Sequence, residues 1–196
     1  MRGKGLIIAV AFLQAACNGD ERGTSDAAMT DTGAATAASD VAVGVGTAAE
    51  ARTALLNAQG DTVGTAILRE VGETVRISVT VSGLAQGERG IHLHQVGSCE
   101  PPTFESAGGH FAPRGRQHGF DNPEGPHAGD LRNLNVGADG TGRQELTTDL
   151  VTLGDGPNSM FDADGTALVI HAGPDDYRTD PSGESGDRIA CGVISR

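Results

Sequence analysis

Apolar and polar residues alternate with a period of two in many short runs of this chain, and this pattern constrains its fold more than any other feature. The alternation is clearest over residues 74–81, where branched apolar residues would line one face of an extended strand. Seven more short runs have strand character: residues 53–57, 62–69, 90–96, 131–136, 143–150, 166–171 and 189–194. Glycine-containing turns separate several of them. The sequence therefore predicts about eight antiparallel strands.

Helical periodicity is missing from the same region. No stretch of ten or more residues between 51 and 196 carries apolar residues at helical spacing, so a sheet built from βαβ units is disfavoured. An all-β antiparallel sandwich or barrel is the architecture that remains. Two long segments, residues 97–129 and 173–188, lack strand character and are rich in glycine, proline and charged residues. Loops of this length inside a compact domain are usually functional or disordered.

Charge and composition exclude several classes of partner. The chain has 14 basic and 26 acidic residues and a net charge of −12, so it is poorly suited to bind nucleic-acid phosphates or anionic lipid. It contains no tryptophan and only 3% aromatic residues, too few to offer a stacking surface for bases. We therefore expect no nucleic-acid partner.

The first 50 residues have the pattern of an export signal followed by a linker. Residues 1–16 contain two basic residues, an unbroken apolar run and then small residues, the order of a secretory signal. The apolar run is too short for a transmembrane helix, which needs about 20 residues. Residues 17–50 are rich in alanine, threonine, glycine and aspartate, and predict a disordered linker. The folded domain is predicted at residues 51–196, where 11 arginines and no lysine face 20 acidic residues.

Cys17 follows the predicted signal and resembles the cysteine of bacterial lipoproteins, which is acylated after cleavage. Gln14 stands three positions before it, where that family usually has leucine. The alternative is a plain secretory signal that is cut nearby. The resemblance implies a lipid anchor at Cys17, on a linker that spans roughly 30 Å as a flexible coil.

Six histidines lie in the predicted domain and none outside it. His92 and His94 are two positions apart in one predicted strand, so their imidazoles share a face about 7 Å apart and can close on one metal ion. His127 and Asp130 flank a glycine and offer nitrogen and oxygen ligands of the kind that bind zinc. Taken alone, each pair has a plain alternative, solvated side chains on a strand or in a loop. The remaining histidines lie in or beside the long loops: His110, His118 and His171.

The number of possible ligands fits two metal ions. Two four-coordinate metals need eight ligand positions, and six histidines with Asp130 supply seven residues. One imidazole would then serve both metals through its two nitrogens. Counting alone leaves this as one possible partition.

Four motifs bear on this partition because they occur together in the order found in one protein family. Residues 90–94, 106–111, 127–131 and 186–194 read GIHLH, SAGGHF, HAGDL and GDRIACGVI. Together they resemble copper/zinc superoxide dismutase, and the similarity covers essentially all of residues 51–196. The resemblance implies an antiparallel Greek-key β-barrel. Export and the short loops resemble a bacterial, extracytoplasmic member.

The resemblance also implies one copper and one zinc ion per chain, with His110 bridging them as an imidazolate. Copper would be held by His92, His94, His110 and His171, and zinc by His110, His118, His127 and Asp130. Asp175 matches a carboxylate that accepts hydrogen bonds from one copper and one zinc histidine, which fixes the orientation of their rings. The remaining matches are Cys99 and Cys191, the family's intrachain disulfide, and Arg188, the arginine that attracts and orients superoxide.

The activity implied is the disproportionation of superoxide to dioxygen and hydrogen peroxide by redox cycling of copper, with a structural zinc. Such an enzyme would protect the bacterial periplasm and cell envelope from superoxide. Two alternatives are a metal-handling module with the same fold and a structural β-sandwich on a lipid tether. The complete ligand set with Arg188 argues against the first, and the clustered histidines argue against the second. The oligomeric state stays open, with a homodimer among the possibilities.

The domain departs from the family pattern in its charge. Members commonly place a lysine near the substrate channel, whereas residues 51–196 contain none. Arg114, Arg116 or Arg178 would then have to strengthen the attraction of superoxide.

Overall fold

The computed structural model describes residues 49–196, which form nine β-strands and one short 3-10 turn. The strands are β1 (Glu50–Asn57), β2 (Thr62–Val71), β3 (Thr74–Val81), β4 (Gly87–Arg89), β5 (Ile91–His94), β6 (Leu134–Val136), β7 (Gly142–Thr148), β8 (Ala167–His171) and β9 (Arg188–Val193). The 3-10 turn covers Glu105–Ala107. The predicted all-β class is confirmed. The predicted signal, Cys17 and the linker up to residue 48 lie outside the described residues.

Seven strands form one antiparallel sheet in the order β5-β8-β9-β1-β2-β3-β7, and β4 pairs with β6. The alternation that predicts β3 is observed, since its four branched apolar residues are buried and the polar residues between them are not. β2 and β3 are joined by a tight turn at Gly72, whose φ of 64° suits glycine. The buried, apolar faces of successive strands together enclose the apolar core.

Three pairs of neighbouring strands in the large sheet are not consecutive in the sequence (β5-β8, β9-β1 and β3-β7), as expected for a Greek key. After β3 the chain crosses to β4 and then to β5, at the opposite edge of the large sheet. β5 pairs with β8, and β8 pairs with β9. The two histidine-bearing strands, β5 and β8, are therefore neighbours.

The structure differs from the sequence prediction at several strand ends. β4 is not predicted because a Gly-Glu-Arg triplet has no alternation, and it forms because β6 offers an antiparallel partner. The strands predicted over residues 90–96 and 131–136 are shorter in the structure. Residues 95–96 instead bond to the first long loop, and the side chain of Asn133 bonds to the second. In both places the chain turns towards the histidines rather than continuing a strand.

The two long segments contain no strand within the described residues, as predicted, except that β9 begins at Arg188, the last residue of the second segment. The first is tied to β9 by the disulfide between Cys99 and Cys191, with an S–S distance of 2.00 Å and Cα atoms 5.6 Å apart. A small apolar cluster surrounds this disulfide, separate from the main core. Among the described residues, no helix has the length and apolar character needed to cross a membrane.

Candidate metal centre

β5 presents two faces, and its histidines share one of them. Ile91 and Leu93 belong to the main core. His92 and His94 point the other way, where isolated bridges pair His92 with Asp130 and His94 with His110. The first long loop thus pairs with the free edge of β5 and covers the face that carries the histidines. His92 and His94 are buried there, at 0% and 1% exposure.

Four histidines converge at this covered face. His92, His94, His110 and His171 each place one ring nitrogen within 4.8 Å of the others, and all four side chains are buried. The rings of His92 and His110 lie closest, with centroids 4.0 Å apart. The converging atoms are Nδ1 of His92 and Nε2 of the other three, and none has a hydrogen-bond partner among the described residues. Buried polar atoms without a partner are costly, so this cluster is built for a ligand that is not part of the chain.

The second ring nitrogen of each of these histidines has a partner in the protein. Nδ1 of His94 donates to the carbonyl of Gly108 at 3.0 Å, and Nδ1 of His171 donates to the carbonyl of Gly186 at 3.1 Å. Nε2 of His92 bonds to Asp175 at 2.9 Å. These bonds fix the tautomers and direct the free lone pairs towards one point.

A second group of four shares His110 with the first. It consists of His110, His118, His127 and Asp130, again buried and within 4.8 Å of one another. The Nδ1 atoms of His110 and His118 lie 3.0 Å from Asp130 Oδ1, and Nδ1 of His127 lies 3.3 Å from it. Asp130 Oδ2 accepts the backbone N–H groups of Gly119 and His127. His110 therefore directs Nδ1 to one group and Nε2 to the other.

Gly129 explains how the loop can approach β5 so closely. Its carbonyl accepts the N–H of Leu93, and its N–H donates to the carbonyl of Phe111. A Cβ at position 129 would stand 2.2 Å from the carbonyl oxygen of Leu93. Only glycine fits this junction, which sets the positions of His127 and Asp130 on either side of it.

Asp175, in the second long segment, links the two groups. Its Oδ1 lies 2.9 Å from Nε2 of His118, and its Oδ2 lies 2.9 Å from Nε2 of His92. The side chain of Asn133 bonds to both the N–H and the carbonyl of Asp175. The N–H of Tyr177 donates to Asp175 Oδ1, and the Tyr177 hydroxyl accepts the N–H of Asn133. The sequence analysis identifies Asp175 but not Asn133 or Tyr177, because neither belongs to a motif with a recognisable spacing.

Burial and these hydrogen bonds shift the pKa values of different histidines in opposite directions. Burial lowers the pKa of His92 to about 3 and that of His171 to about 4, so both rings are neutral and ready to act as ligands at pH 7. Burial also disfavours charge on His118, but hydrogen bonds with Asp130 and Asp175 outweigh it and raise the pKa of His118 to about 9. Asp130 and Asp175 are also buried, which by itself raises the pKa of a carboxyl group. Hydrogen bonds with the histidines outweigh this effect and hold the pKa of both carboxyl groups well below the usual range.

The first histidine group opens to solvent through a pocket of about 420 Å³. His94, His110 and His171 line it together with Pro181 and Ser182, and Arg188 is the only arginine of the described chain in this lining. Arg114 and Arg116 line a different, smaller cavity, and Arg178 lies 3.7 Å from Asp121 in an exposed ion pair. Of the arginines considered from the sequence, Arg188 alone is thus placed beside the histidines.

Arg188 is held rigidly at the pocket wall. Its Nη1 donates to the carbonyl of Phe104 and its Nη2 to that of Gly108, both at 2.6 Å. Gly108 also accepts from His94, so one carbonyl orients both a histidine of the cluster and the guanidinium. Since the guanidinium has five N–H donors, others stay free to bind an anion in the pocket.

The donor sets fit one copper and one zinc ion. Imidazole nitrogen suits both metals, and three imidazoles with one carboxylate are a common tetrahedral zinc set. The all-histidine group faces a pocket open to solvent, as a redox metal that meets its substrate requires. The group with Asp130 supplies four protein ligands, the number found in structural zinc sites, although His110 and His127 also reach the pocket.

Comparison with known proteins agrees with this geometry. The model of the family described as copper/zinc superoxide dismutase (SODC) matches residues 62–194, which is more than half of the chain. The chain belongs to the copper/zinc superoxide dismutase family. Superoxide dismutase [Cu-Zn] 2 of Aquifex aeolicus is 49% identical over 147 residues, covering 74% of this chain and 86% of the relative. Superoxide dismutase-like protein YojM of Bacillus subtilis is 44% identical over 143 residues, covering 71% of this chain and 73% of that protein.

Solved structures of a SOD-like protein and of a Cu/Zn superoxide dismutase have the same fold. A SOD-like protein from Bacillus subtilis superposes with a TM-score of 0.69 at 41% identity, covering 72% of this chain and 96% of that structure. The Cu/Zn superoxide dismutase from Brucella abortus gives a TM-score of 0.63 at 29% identity, covering 75% of this chain and all of that structure. Membership of the family is therefore supported by sequence and by fold.

Proposed function

We propose that this chain is a superoxide dismutase that converts two superoxide ions and two protons into dioxygen and hydrogen peroxide. The observation that carries the proposal is the pair of buried four-ligand groups that share His110, one of which opens to a pocket beside Arg188. A module that only stores metal needs the ligands but has no use for a fixed cation at the mouth of the site. Relatives with 46–49% identity are named superoxide dismutases.

We assign the copper ligands as His92, His94, His110 and His171, and the zinc ligands as His110, His118, His127 and Asp130. When bound, copper supplies one-electron redox chemistry, oxidising one superoxide ion to dioxygen and reducing the next to peroxide. Zinc has no accessible second oxidation state, so its ligands have a structural role.

The protein's own residues bind the substrate and supply a proton. Arg188 presents a fixed guanidinium at the wall of the pocket, where it attracts and orients an anion. His110 stays anchored to the zinc group through Nδ1, while its Nε2 faces the copper group and the pocket. This atom could hold a proton and donate it to the departing peroxide. The other histidines keep their orientation because their second nitrogens are hydrogen-bonded.

A further part of the proposal concerns where the enzyme works. Residues 1–16 act as a secretory signal, Cys17 is acylated, and residues 17–50 tether the domain of residues 51–196 to the bacterial cell envelope. The disulfide between Cys99 and Cys191 supports an oxidising compartment outside the cytoplasm. Mass spectrometry of the mature protein tests this proposal: we expect a lipid-modified Cys17 at the N-terminus in the membrane fraction and release of the protein by Cys17→Ser. An unmodified, soluble mature form would refute the anchor.

Substitutions of Arg188 in the full, metal-loaded protein test whether this residue contributes to the activity. Arg188→Ala removes the cation from the pocket, whereas Arg188→Lys keeps a charge without the two-pronged geometry. We expect kcat/KM for superoxide to fall about ten- to hundredfold in Arg188→Ala and less in Arg188→Lys, with copper content unchanged. Activity equal to the wild type in Arg188→Ala would refute the proposed binding of superoxide by this residue.

A further inference from the structure

Phe104 combines two properties that are rarely found together. Its side chain is fully buried at 0% exposure, yet its backbone is left-handed, with φ 56° and ψ 22°. This conformation favours glycine or asparagine and is unusual for a bulky residue. Strained backbone of this kind persists only where the surroundings over-determine it, and it is concentrated at functional sites.

The ring of Phe104 is anchored beneath the first long loop. It packs in the small apolar cluster with Ala107, Ala167, Val169 and Cys191, and Cys99 contacts the same cluster. The cluster joins the loop to β8 and β9, the strands that end at His171 and begin at Arg188. Phe104 is therefore fixed relative to the floor of the pocket by its own side chain.

The backbone of Phe104 opens the turn that holds Arg188. Its carbonyl accepts both the N–H of Ala107 and Nη1 of Arg188. The same turn ends at Gly108, whose carbonyl accepts Nη2 of Arg188. Because both acceptors belong to one short turn, a rotation of that turn would move both contacts and with them the guanidinium.

We propose that Phe104 is a positioning residue for Arg188: its buried ring sets the turn of residues 104–108, whose two carbonyl groups hold the guanidinium in the pocket. This inference rests on the proposed function in so far as Arg188 receives superoxide. It assigns to an apolar residue outside the metal ligands an effect on anion binding rather than on metal binding.

The test is the affinity of azide, a small anion, for the Cu(II) form of the copper- and zinc-loaded protein, followed by its absorption change. Four proteins form a double-mutant cycle: wild type, Phe104→Ala, Arg188→Ala and the double variant. We expect Phe104→Ala to weaken azide binding about fivefold and Arg188→Ala about tenfold, with no further loss in the double variant. The Cu(II) electron paramagnetic resonance spectrum should keep its wild-type pattern in Phe104→Ala, because the four histidines stay bound although the carbonyl of Gly108 shifts against Nδ1 of His94.

A role in stability alone gives a different result. Phe161→Ala is the matched control, since Phe161 is a partly buried phenylalanine that packs on the main core, and it should leave azide affinity unchanged. An unchanged azide affinity in Phe104→Ala, or an equal loss with and without Arg188, would overturn the proposal. If Phe104→Ala does not load copper, Phe104→Leu decides: a two- to threefold loss that requires Arg188 supports the proposal, and wild-type affinity overturns it.

Azide binding also separates this inference from the proposed activity. A protein that binds copper and azide but does not consume superoxide would refute the dismutase function. The double-mutant cycle of azide affinity would still test whether Phe104 positions Arg188. A dismutase in which Phe104→Ala has no effect on azide would retain its function and lose this inference.

Discussion

Replacing Asp175 with asparagine should weaken the binding of zinc or of copper, although Asp175 is a proposed ligand of neither metal. Its two carboxylate oxygens lie 2.9 Å from Nε2 of His118 and 2.9 Å from Nε2 of His92, and all three side chains are buried. Asparagine has the same shape but only one acceptor oxygen. Its amide group would place N–H donors against one of the two imidazole N–H groups.

The size of the effect follows from the bond that is lost. A hydrogen bond to a charged group contributes about 1.5–3 kcal/mol, and each 1.4 kcal/mol is a factor of ten in an equilibrium constant. If the amide oxygen stays with His92, His118 loses its partner and zinc affinity should fall about ten- to hundredfold. If the amide oxygen turns to His118, His92 loses its partner, and the affinity for copper falls instead. Asp175→Asn should therefore lower the affinity for at least one of the two metals.

The assay is competition with a chelator, which gives the dissociation constant of zinc in copper-free protein and then that of copper in zinc-loaded protein. Asp176→Asn is the matched control, because this neighbouring exposed carboxylate accepts hydrogen bonds from Arg178 and Thr179 rather than from a histidine. Dissociation constants for both metals within twofold of the wild type in Asp175→Asn would refute the argument that this carboxylate holds the two rings.

Three further predictions concern stability, protons and charge. Replacing Cys99 and Cys191 together with alanine should lower the free energy of unfolding by up to about 4–5 kcal/mol, since the bridge spans 92 positions; guanidinium unfolding measures this, and an unchanged midpoint would contradict it. Zinc binding at pH 7 should release about one proton, because the pKa of His118 is raised to about 9 in the metal-free protein and zinc displaces that proton. Zinc affinity should accordingly fall as the pH drops below about 9. Calorimetry in buffers of different ionisation enthalpy counts the protons released on binding. Zinc binding without proton release would contradict the assignment of His118 as a zinc ligand. Ser182→Lys adds a cation to the pocket wall and should raise kcat/KM about two- to threefold at low salt, with the gain lost at high salt; a gain that is independent of salt would contradict steering.

The sequence predicts the strands whose faces differ in polarity and misses those defined by a partner. β3 follows from its alternation alone, because its four branched apolar residues are buried and the polar residues between them are not. β4 does not, since its three residues carry no pattern and depend on pairing with β6, about 50 positions away. The early end of β5 likewise follows from long-range bonds of residues 95–96 with the loop.

The same distinction applies to the site. The seven ligand candidates, Asp175 and Arg188 match positions of the family pattern, so the resemblance identifies them in the sequence, and the structure brings the ligands into two groups that share His110. Asn133 and Tyr177 hold Asp175 through hydrogen bonds that no sequence pattern marks: Asn133 makes two bonds from a distant part of the chain, and Tyr177 makes one from two residues away. Phe104 looks like an ordinary loop residue in the sequence, and its importance appears only in its left-handed backbone and its contact with Arg188.

The measurement that tests the central claim most directly is the rate of superoxide decay with the full protein loaded with copper and zinc, compared with the protein loaded with zinc alone. We predict copper-dependent catalysis that approaches the diffusional limit, about 10⁸–10⁹ M⁻¹ s⁻¹, and none from the zinc-only protein. Stoichiometric binding of both metals without catalysis would contradict the account and identify a metal-handling protein with a dismutase fold.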